Sequence, residues 1–571
     1  MRQVLAHRGW ILFALLALVG AFALMRLSAA PGYTDSYYHF NAATRLVSGD
    51  GLTDPYLWTY IGAPETLPSP SHRYWMPLTS LIAALGMGLA NAPGDYAAAT
   101  WPFALMLAGT ALTGFWLGRR LGGRARHAWI AGLLTLFSGF FTRFWGQTDT
   151  FAPYALVGSL CLVALGYTNT MGLQRRGDPM WSPDDGLPET RTPRRASLQP
   201  PSVGTGPALS ADKRNLRNRI LFALTGILAG LAHLTRADGV LLLLVGCAAA
   251  LWPVRGERYP VILRRALPGL VIMTLAYLLV MLPWFAHNMA VSGTPLPVGG
   301  TQAIWFREYN DLFNYPPDSS PGTFFADGIA PLFTTRWEAF SSNLGTFIAV
   351  EGLVVMMPLM LLGLWVRRHD GFLRGFWLYA LGLHLAMTLV FPFPGYRGGL
   401  FHSAAALIPW WAALGVAGLD DAVDWAARRR RQWRAGTAKV IFSAALLVVA
   451  LFLSLSTGLA NRVGGGTPRL YDELRAILPE NARVMINDPA ALYYFTGLGG
   501  VVLPNESPDV IPEVARRYGV SYLLLQDVTA DGRAADAAPP PLWPVLTGDY
   551  SFLTPISLDV PGVRLYAITV E

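Results

Sequence analysis

The chain has 571 residues, 53% of them hydrophobic and 14% charged, with a mean hydropathy of +0.36. A water-soluble protein of this length needs far more polar surface to cover its core, so the composition excludes a soluble globular fold and points to lipid as the main solvent. The net charge of +8 does not indicate nucleic acid, because the basic residues fall in short clusters between apolar runs, the distribution that the positive-inside rule produces.

In chain order, Met1–Arg8 precedes an apolar run to about Leu27. At roughly twenty residues this run is long enough to span a bilayer and longer than a usual signal-peptide core. Ser28-Ala29-Ala30 resembles a small-residue cleavage site, but a retained anchor is the preferred reading. Further apolar segments lie near 76–91, 97–118, 127–145, 151–171, 219–236, 238–253, 266–286, 343–366, 372–392, 402–419 and 438–458. If every segment crosses, the basic patch Arg119, Arg120, Arg124 and Arg126 falls outside, as does the loop carrying Arg175, Arg194 and Lys213. Positive charge is normally retained in the cytoplasm. The run 77–91 resolves the conflict, since about fourteen apolar-rich residues suit an interfacial or re-entrant helix. With it on the outer surface, about eleven crossings remain and the basic clusters at 119–126, 175–219, 255–265, 367–368 and 428–434 all lie inside.

This topology predicts an inner-membrane, multi-pass protein with a cytoplasmic N-terminus. Residues 1–458 form the membrane domain, including a first outer loop at 31–96 and a flexible, Pro/Ser/Thr/Arg-rich cytoplasmic loop at 172–218. Residues 459–571 differ in composition. A helix from Thr467-Pro468 to about Leu478, strand-like runs at Val484–Ile486, Val501–Leu503 and Tyr522–Leu525, and a helical stretch near 508–517 predict a small extracytoplasmic α/β domain. The two cysteines, Cys161 and Cys247, sit in apolar stretches and imply no disulfide framework.

Chemistry concentrates on the predicted outer face. Gly32-Tyr33-Thr34-Asp35-Ser36-Tyr37-Tyr38-His39 follows the first helix, and its carboxylate can act as general base or hold a divalent cation against a phosphate. A solvated loop acid among interfacial tyrosines is the competing reading of the same residues. Asp149 lies in a short turn, Arg143-Phe144-Trp145-Gly146-Gln147-Thr148-Asp149-Thr150, which fixes its position closely. Glu351 falls about two turns into a helix, where a carboxylate is costly and faces a cavity or a partner. Arg397, in Tyr396-Arg397-Gly398-Gly399, suits bidentate phosphate recognition, with His402 one turn further on. Arg236 and Asp238 share another turn and are expected to pair with each other. His39, His72, His287 and His402 lack metal-ligand spacing, so no zinc site is expected, and Asp35 and Asp149 are the candidates for any divalent metal.

The order of these elements resembles a family. Gly32 and Asp35 match a Gly-x-x-Asp motif in the first outer loop, and Tyr74-Trp75-Met76-Pro77 leads into the interfacial helix. Asp149 matches a second acidic motif in place, and Thr346–Glu351 loosely echoes a Thr/Ser-x-x-Glu motif. Over about residues 1–420 the pattern resembles the GT-C membrane glycosyltransferases, nearest to the catalytic subunit of oligosaccharyltransferases. Two features depart from that subunit: Thr148 and Thr150 flank a single acid where it carries two, and its Trp-Trp-Asp-Tyr-Gly motif is absent. The resemblance therefore implies a polyprenyl-phosphate-linked sugar donor and a glycan, lipid or protein acceptor at the outer leaflet, without peptide-asparagine specificity. It implies Asp35 and Asp149 as catalytic acids, Arg397 and His402 toward the donor phosphate, and His39, Glu351 and Arg236 in support, with Mg or Mn as the optional cofactor. Two alternatives are an O-antigen-type polymerase or ligase, and a transporter or lipid-linked glycan flippase. The position of Asp35 argues against the first, and the lack of an internal repeat argues against the second.

Overall fold

A computed structural model describes residues 2–173, 211–253, 258–326, 328–430, 433–526 and 539–570. Most of the predicted cytoplasmic loop 172–218 lies outside the described residues. Eight described helices are long and apolar enough to cross a bilayer, among them Tyr96–Gly122, Tyr259–Ser292 and Ala435–Ala460, so the chain is a multi-pass membrane protein. Sequence and capping agree well at Tyr96–Gly122. Asp95 caps it by accepting a hydrogen bond from the Ala98 amide at 2.6 Å, and Arg119 and Arg120 meet the negative end of its dipole.

Three of the eleven predicted crossings are not continuous helices of that length. Segment 127–145 is a helix at Ala125–Leu136 followed by short turns at Gly139–Phe141 and Thr142–Trp145. Side chains of the neighbouring helix satisfy the backbone freed at this break. The Gly139 amide donates to Ser454 Oγ at 2.8 Å, and its carbonyl accepts from Thr457 Oγ1 at 3.1 Å. Segment 238–253 is a shorter apolar helix within Ala237–Ala250. Segment 343–366 breaks between Ala330–Thr346 and Met357–Val366, where Leu353 and Val354 take positive φ angles of 45° and 65°. Glu351 therefore ends a single π turn, Phe347–Glu351, rather than sitting inside a continuous helix.

The run singled out as non-spanning is the helix Leu78–Ala90, with 13 residues. At ~1.5 Å rise per residue it extends only about 20 Å, short of a hydrocarbon core. It buries Thr79, Ser80, Ala83, Ala84 and Met87, and exposes Leu81, Leu85 and Leu89 on one stripe.

The bundle has two chemically distinct ends. At one end the described basic clusters meet acids from other helices. Arg367 binds Asp421 at 2.6 Å, Arg120 lies 3.5 Å from Asp370, and Asp420 takes Arg126 together with His127 at 2.9 Å. The other end carries a six-stranded sheet. Its spatial order is Tyr56–Leu57, Gly499–Val501, Arg483–Met485, Tyr522–Gln526, Val563–Ile568, Leu553–Ile556. The first four run parallel and the last two pair antiparallel. The first strand belongs to the loop after the first helix, so the C-terminal sheet and the first loop form one structure. Tyr60, packed in the sheet's core with Tyr518, reinforces this by donating its hydroxyl to the Val502 carbonyl at 2.5 Å.

Candidate functional site

Asp35 occupies the first turn of the helix Thr34–Ser48, where the helix dipole favours negative charge. Two neighbours fix that helix. On one side, Gly32 packs so closely that a Cβ there would come within 2.7 Å of Val463 and 3.3 Å of Gln147. Its amide donates to Gln147 Oε1 at 2.9 Å, and Thr148 Oγ1 donates to the Ser36 carbonyl at 2.8 Å. The Asp35 helix is thus locked to the Asp149 turn. On the other side, Thr34 Oγ1 donates to Asp488 Oδ2 at 2.7 Å, and Asn41 donates to the Ala490 carbonyl at 2.9 Å. The C-terminal part therefore helps to hold the helix that carries the acid.

Asp149 is 1% exposed and accepts hydrogen bonds from the Tyr33 hydroxyl and the Thr150 amide. His402 Nε2 lies 2.9 Å from Asp149 Oδ2 and 3.8 Å from Asp35 Oδ2. One ligand atom from each of Asp35, Asp149 and His402 falls within 4.8 Å of the others. The hydrogen bonding of His402 has a chemical consequence. Its Nδ1 lies 2.8 Å from the Gly398 carbonyl, an acceptor, so Nδ1 carries the proton. With Nε2 facing a carboxylate, the ring is either a doubly protonated cation or a neutral ligand turning its lone pair to a cation shared with the acids. Two carboxylates and one imidazole at these separations fit a divalent metal ion.

The two acids are held in different states. Burial and the neighbouring Asp149 push the Asp35 carboxyl up to about 6, against the opposing pull of His402, Arg236 and a hydrogen bond from Trp75. For Asp149 burial acts in the same upward direction, but His402, His39 and Tyr33 outweigh it and hold the carboxyl well below the usual range. The Asp35 side chain keeps 28% of its surface open, whereas that of Asp149 keeps 1%. Asp35 is the acid open to solvent, and Asp149 is the acid behind it.

Asp35 opens into a cavity of about 300 Å³ that is also lined by Trp58, Tyr74, Trp75, Arg236, Tyr309, Arg397 and His402. Arg397 lies on a π turn, Gly395–Gly399, in which Gly398 has a φ of 130° that a side chain would resist. Its guanidinium stacks over the Tyr309 ring at 4.7 Å. Arg236 is bound on several sides: Nε lies 3.0 Å from Asp238 and 2.8 Å from Ser403 Oγ, and the Ser403 hydroxyl in turn donates to Asp238. The pairing of Arg236 with Asp238 expected from the sequence is present.

The structure thus brings Asp35, Asp149, Arg236, Arg397 and His402 together. It leaves Glu351 apart from them, and it keeps His39 out of the cavity although His39 stands near enough to act on Asp149. Glu351 is buried against His384 Nε2 at 3.0 Å and Trp411 Nε1 at 2.7 Å, beside a separate void of about 10 Å³. His39 is wholly buried, hydrogen-bonded to Ser80 at 2.8 Å, and does not line the cavity. Sequence spacing gave no reason to join His402 to the acids, because it lies 253 residues from Asp149. The roles of Gln147 and Ser403 were likewise missed; adjacency to Asp149 and His402 was the available signal.

No family model matches the chain, and no curated protein matches it. Solved structures do. The Archaeoglobus fulgidus oligosaccharyltransferase in complex with Zn and sulfate superposes with a TM-score of 0.58 at 15% identity, covering 97% of this chain and 73% of that one. The same archaeal protein, AglB, with an inhibitory peptide and a dolichol-phosphate, gives 0.53 at 13% identity, covering 98% and 74%. ArnT from Cupriavidus metallidurans in the apo state gives 0.52 at 14% identity and covers 98% of both chains. At these identities the likeness concerns backbone architecture, and it spans nearly the whole chain: this protein has the fold of the GT-C membrane glycosyltransferases.

Proposed function

We propose that the protein is a membrane glycosyltransferase that moves a sugar from a polyprenyl-phosphate-linked donor to an acceptor at the outer face of the cell membrane. The observation that carries this reading is the convergence of Asp35, His402 and Arg397 in one aromatic-lined cavity, with Asp149 directly behind Asp35 and His402. Solved proteins of the same fold were captured with a dolichol-phosphate and with an acceptor peptide, which supports a lipid-linked donor here. Residues 1–458 are the membrane transferase domain in this reading, residues 459–571 the extracytoplasmic domain, and the N-terminus is cytoplasmic. The ion pairs that gather basic residues at the opposite end of the bundle support that orientation.

A polyprenyl chain stays in the bilayer, so its phosphate must be met where the helices end. The acceptor's hydroxyl or amine attacks the sugar C1, and its proton passes to Asp35. The bond from C1 to the phosphate oxygen breaks, and the electron pair leaves on that oxygen. Arg397 meets the charge that develops there, the electrostatic role that often dominates catalysis. Asp149, held by Tyr33 and His402, remains ionised and keeps the imidazole turned toward Asp35. Asp35, Asp149 and His402 would hold a divalent ion, which would supply Lewis-acid charge beside the phosphate. Trp58, Tyr74, Trp75 and Tyr309 offer ring faces for the sugar.

The test is reconstitution of the full chain in vesicles with a polyprenyl-phosphate donor bearing a radiolabelled sugar. Equal amounts of transferred sugar and free polyprenyl phosphate are expected. Donor that crosses the bilayer intact, with no sugar transferred, would replace the transferase with a flippase.

A further inference from the structure

The cavity contains two arginines, but they are not equivalent. Arg236 is already neutralised by Asp238 at 3.0 Å, and Ser403 clamps the pair by bonding both partners. Arg397, by contrast, meets no carboxylate among the described residues; only the Tyr309 ring stands against it. The remaining charges are Asp35 and Asp149, which together match one divalent ion. With such an ion bound, the cavity has a single uncompensated positive charge, and it sits at Arg397.

A sugar joined to its carrier through one phosphate carries one negative charge, and one joined through pyrophosphate carries two. The first fills the cavity's charge requirement. The second leaves an extra anion in a half-open, aromatic-lined site, where an unpaired and only partly hydrated charge is costly. Without the divalent ion, and with His402 then protonated, Arg397 and His402 balance Asp35 and Asp149; the cavity is less positive, the order is preserved, and the preference does not depend on metal. We propose that Asp238, by neutralising Arg236, sets the donor class of this site to sugars carried on a monophosphate and excludes pyrophosphate-linked donors. This inference rests on the glycosyltransferase reading and names the donor of that same site. Asp238 acts here as a specificity residue through Arg236.

Binding separates this claim from transfer. The probes are two sugar-free lipids, undecaprenyl methyl phosphate and undecaprenyl methyl pyrophosphate, titrated against the full chain in zwitterionic nanodiscs, with and without Mn²⁺. The monophosphate ester is expected to bind at least tenfold more tightly under both conditions. Asp238→Asn, which frees Arg236, is expected to tighten pyrophosphate binding and shrink the preference to threefold or less. Arg397→Gln is expected to weaken the monophosphate ester at least tenfold. Equal affinities in the wild-type protein, or tighter pyrophosphate binding, would overturn the proposal even if Asp238→Asn failed to fold. An unchanged preference in a well-folded Asp238→Asn protein would overturn the role of Asp238. A protein that prefers the monophosphate ester but transfers no sugar contradicts the transferase reading alone. One that transfers only from pyrophosphate-linked donors contradicts this inference alone.

Discussion

Two buried carboxylates in this protein each touch a histidine at nearly the same distance, yet they have different chemistry. Asp149 meets His402 at 2.9 Å, and Glu351 meets His384 at 3.0 Å. Around Glu351 the bonding is closed. One oxygen takes His384, the other takes Trp411, and the adjoining void of about 10 Å³ is too small for any substrate. Around Asp149 the bonding is open, because His402 also faces Asp35, and Asp35 faces a cavity of about 300 Å³. A buried acid with a histidine partner is therefore not in itself a functional site. The distinguishing feature is a reachable second group of unmatched charge, here Asp35 together with Arg397.

Substitutions test the difference between the two acids. The largest effect is expected at Asp35. Asp35→Asn should lower sugar transfer by about 10²–10⁴-fold, the usual contribution of a general base, read as initial rate in reconstituted vesicles. Glu351→Gln should leave transfer within about threefold and instead lower stability by ~1–3 kcal/mol, because a donor replaces one acceptor in a closed network; thermal unfolding in detergent reads this. A large transfer defect in Glu351→Gln with unchanged melting would erase the distinction between the two sites.

Arg397→Gln should cost transfer about 10²-fold, as loss of a single oxyanion-stabilising donor does, and Arg397→Lys should recover part of it. Chelation of divalent ions should lower transfer by about tenfold or more, with recovery on adding Mn²⁺, since removal of the ion takes charge stabilisation from the leaving phosphate. His402→Ala should need more Mn²⁺ for half-maximal rate, whereas His384→Ala should not shift that requirement.

The smallest effect concerns pH. The carboxyl of Asp35 is raised to about 6, and the ionised form is the base. In the metal-free protein its protonation should therefore centre near pH 6, with the base form increasing as pH rises through that value. Bound metal favours the carboxylate and should move the transition to lower pH. Infrared difference spectra of wild type against Asp35→Asn, with and without Mn²⁺, read both transitions. Glu351→Gln should leave them in place.

The sequence made some of this contrast legible. Asp35 and Asp149 stood out because acids beside apolar runs are chemically conspicuous, and Arg397 because its glycine neighbours suggested close approach to an anion. The strands near 484, 501 and 522 were visible as short apolar runs. Other features depend on distant partners. No local pattern announces that Tyr56–Leu57 joins a sheet formed more than four hundred residues later, or that Leu553–Ile556 and Val563–Ile568 close its far side. Hydropathy does not register the backbone turn at Leu353 and Val354, which interrupts the segment 343–366. Glu351 stood out as an acid within an apolar run, but His384 and Trp411, which bind it, lie 33 and 60 residues away. The contact of His402 with Asp149, 253 residues away, exists only in three dimensions.

The central claim is that Asp35 is the reachable acid of a sugar-transfer site. Its most direct test is single-turnover transfer of labelled sugar from a polyprenyl-phosphate donor by an Asp35→Asn protein that melts at the wild-type temperature. The donor should bind and the sugar should remain on its carrier. Transfer at the wild-type rate would contradict it.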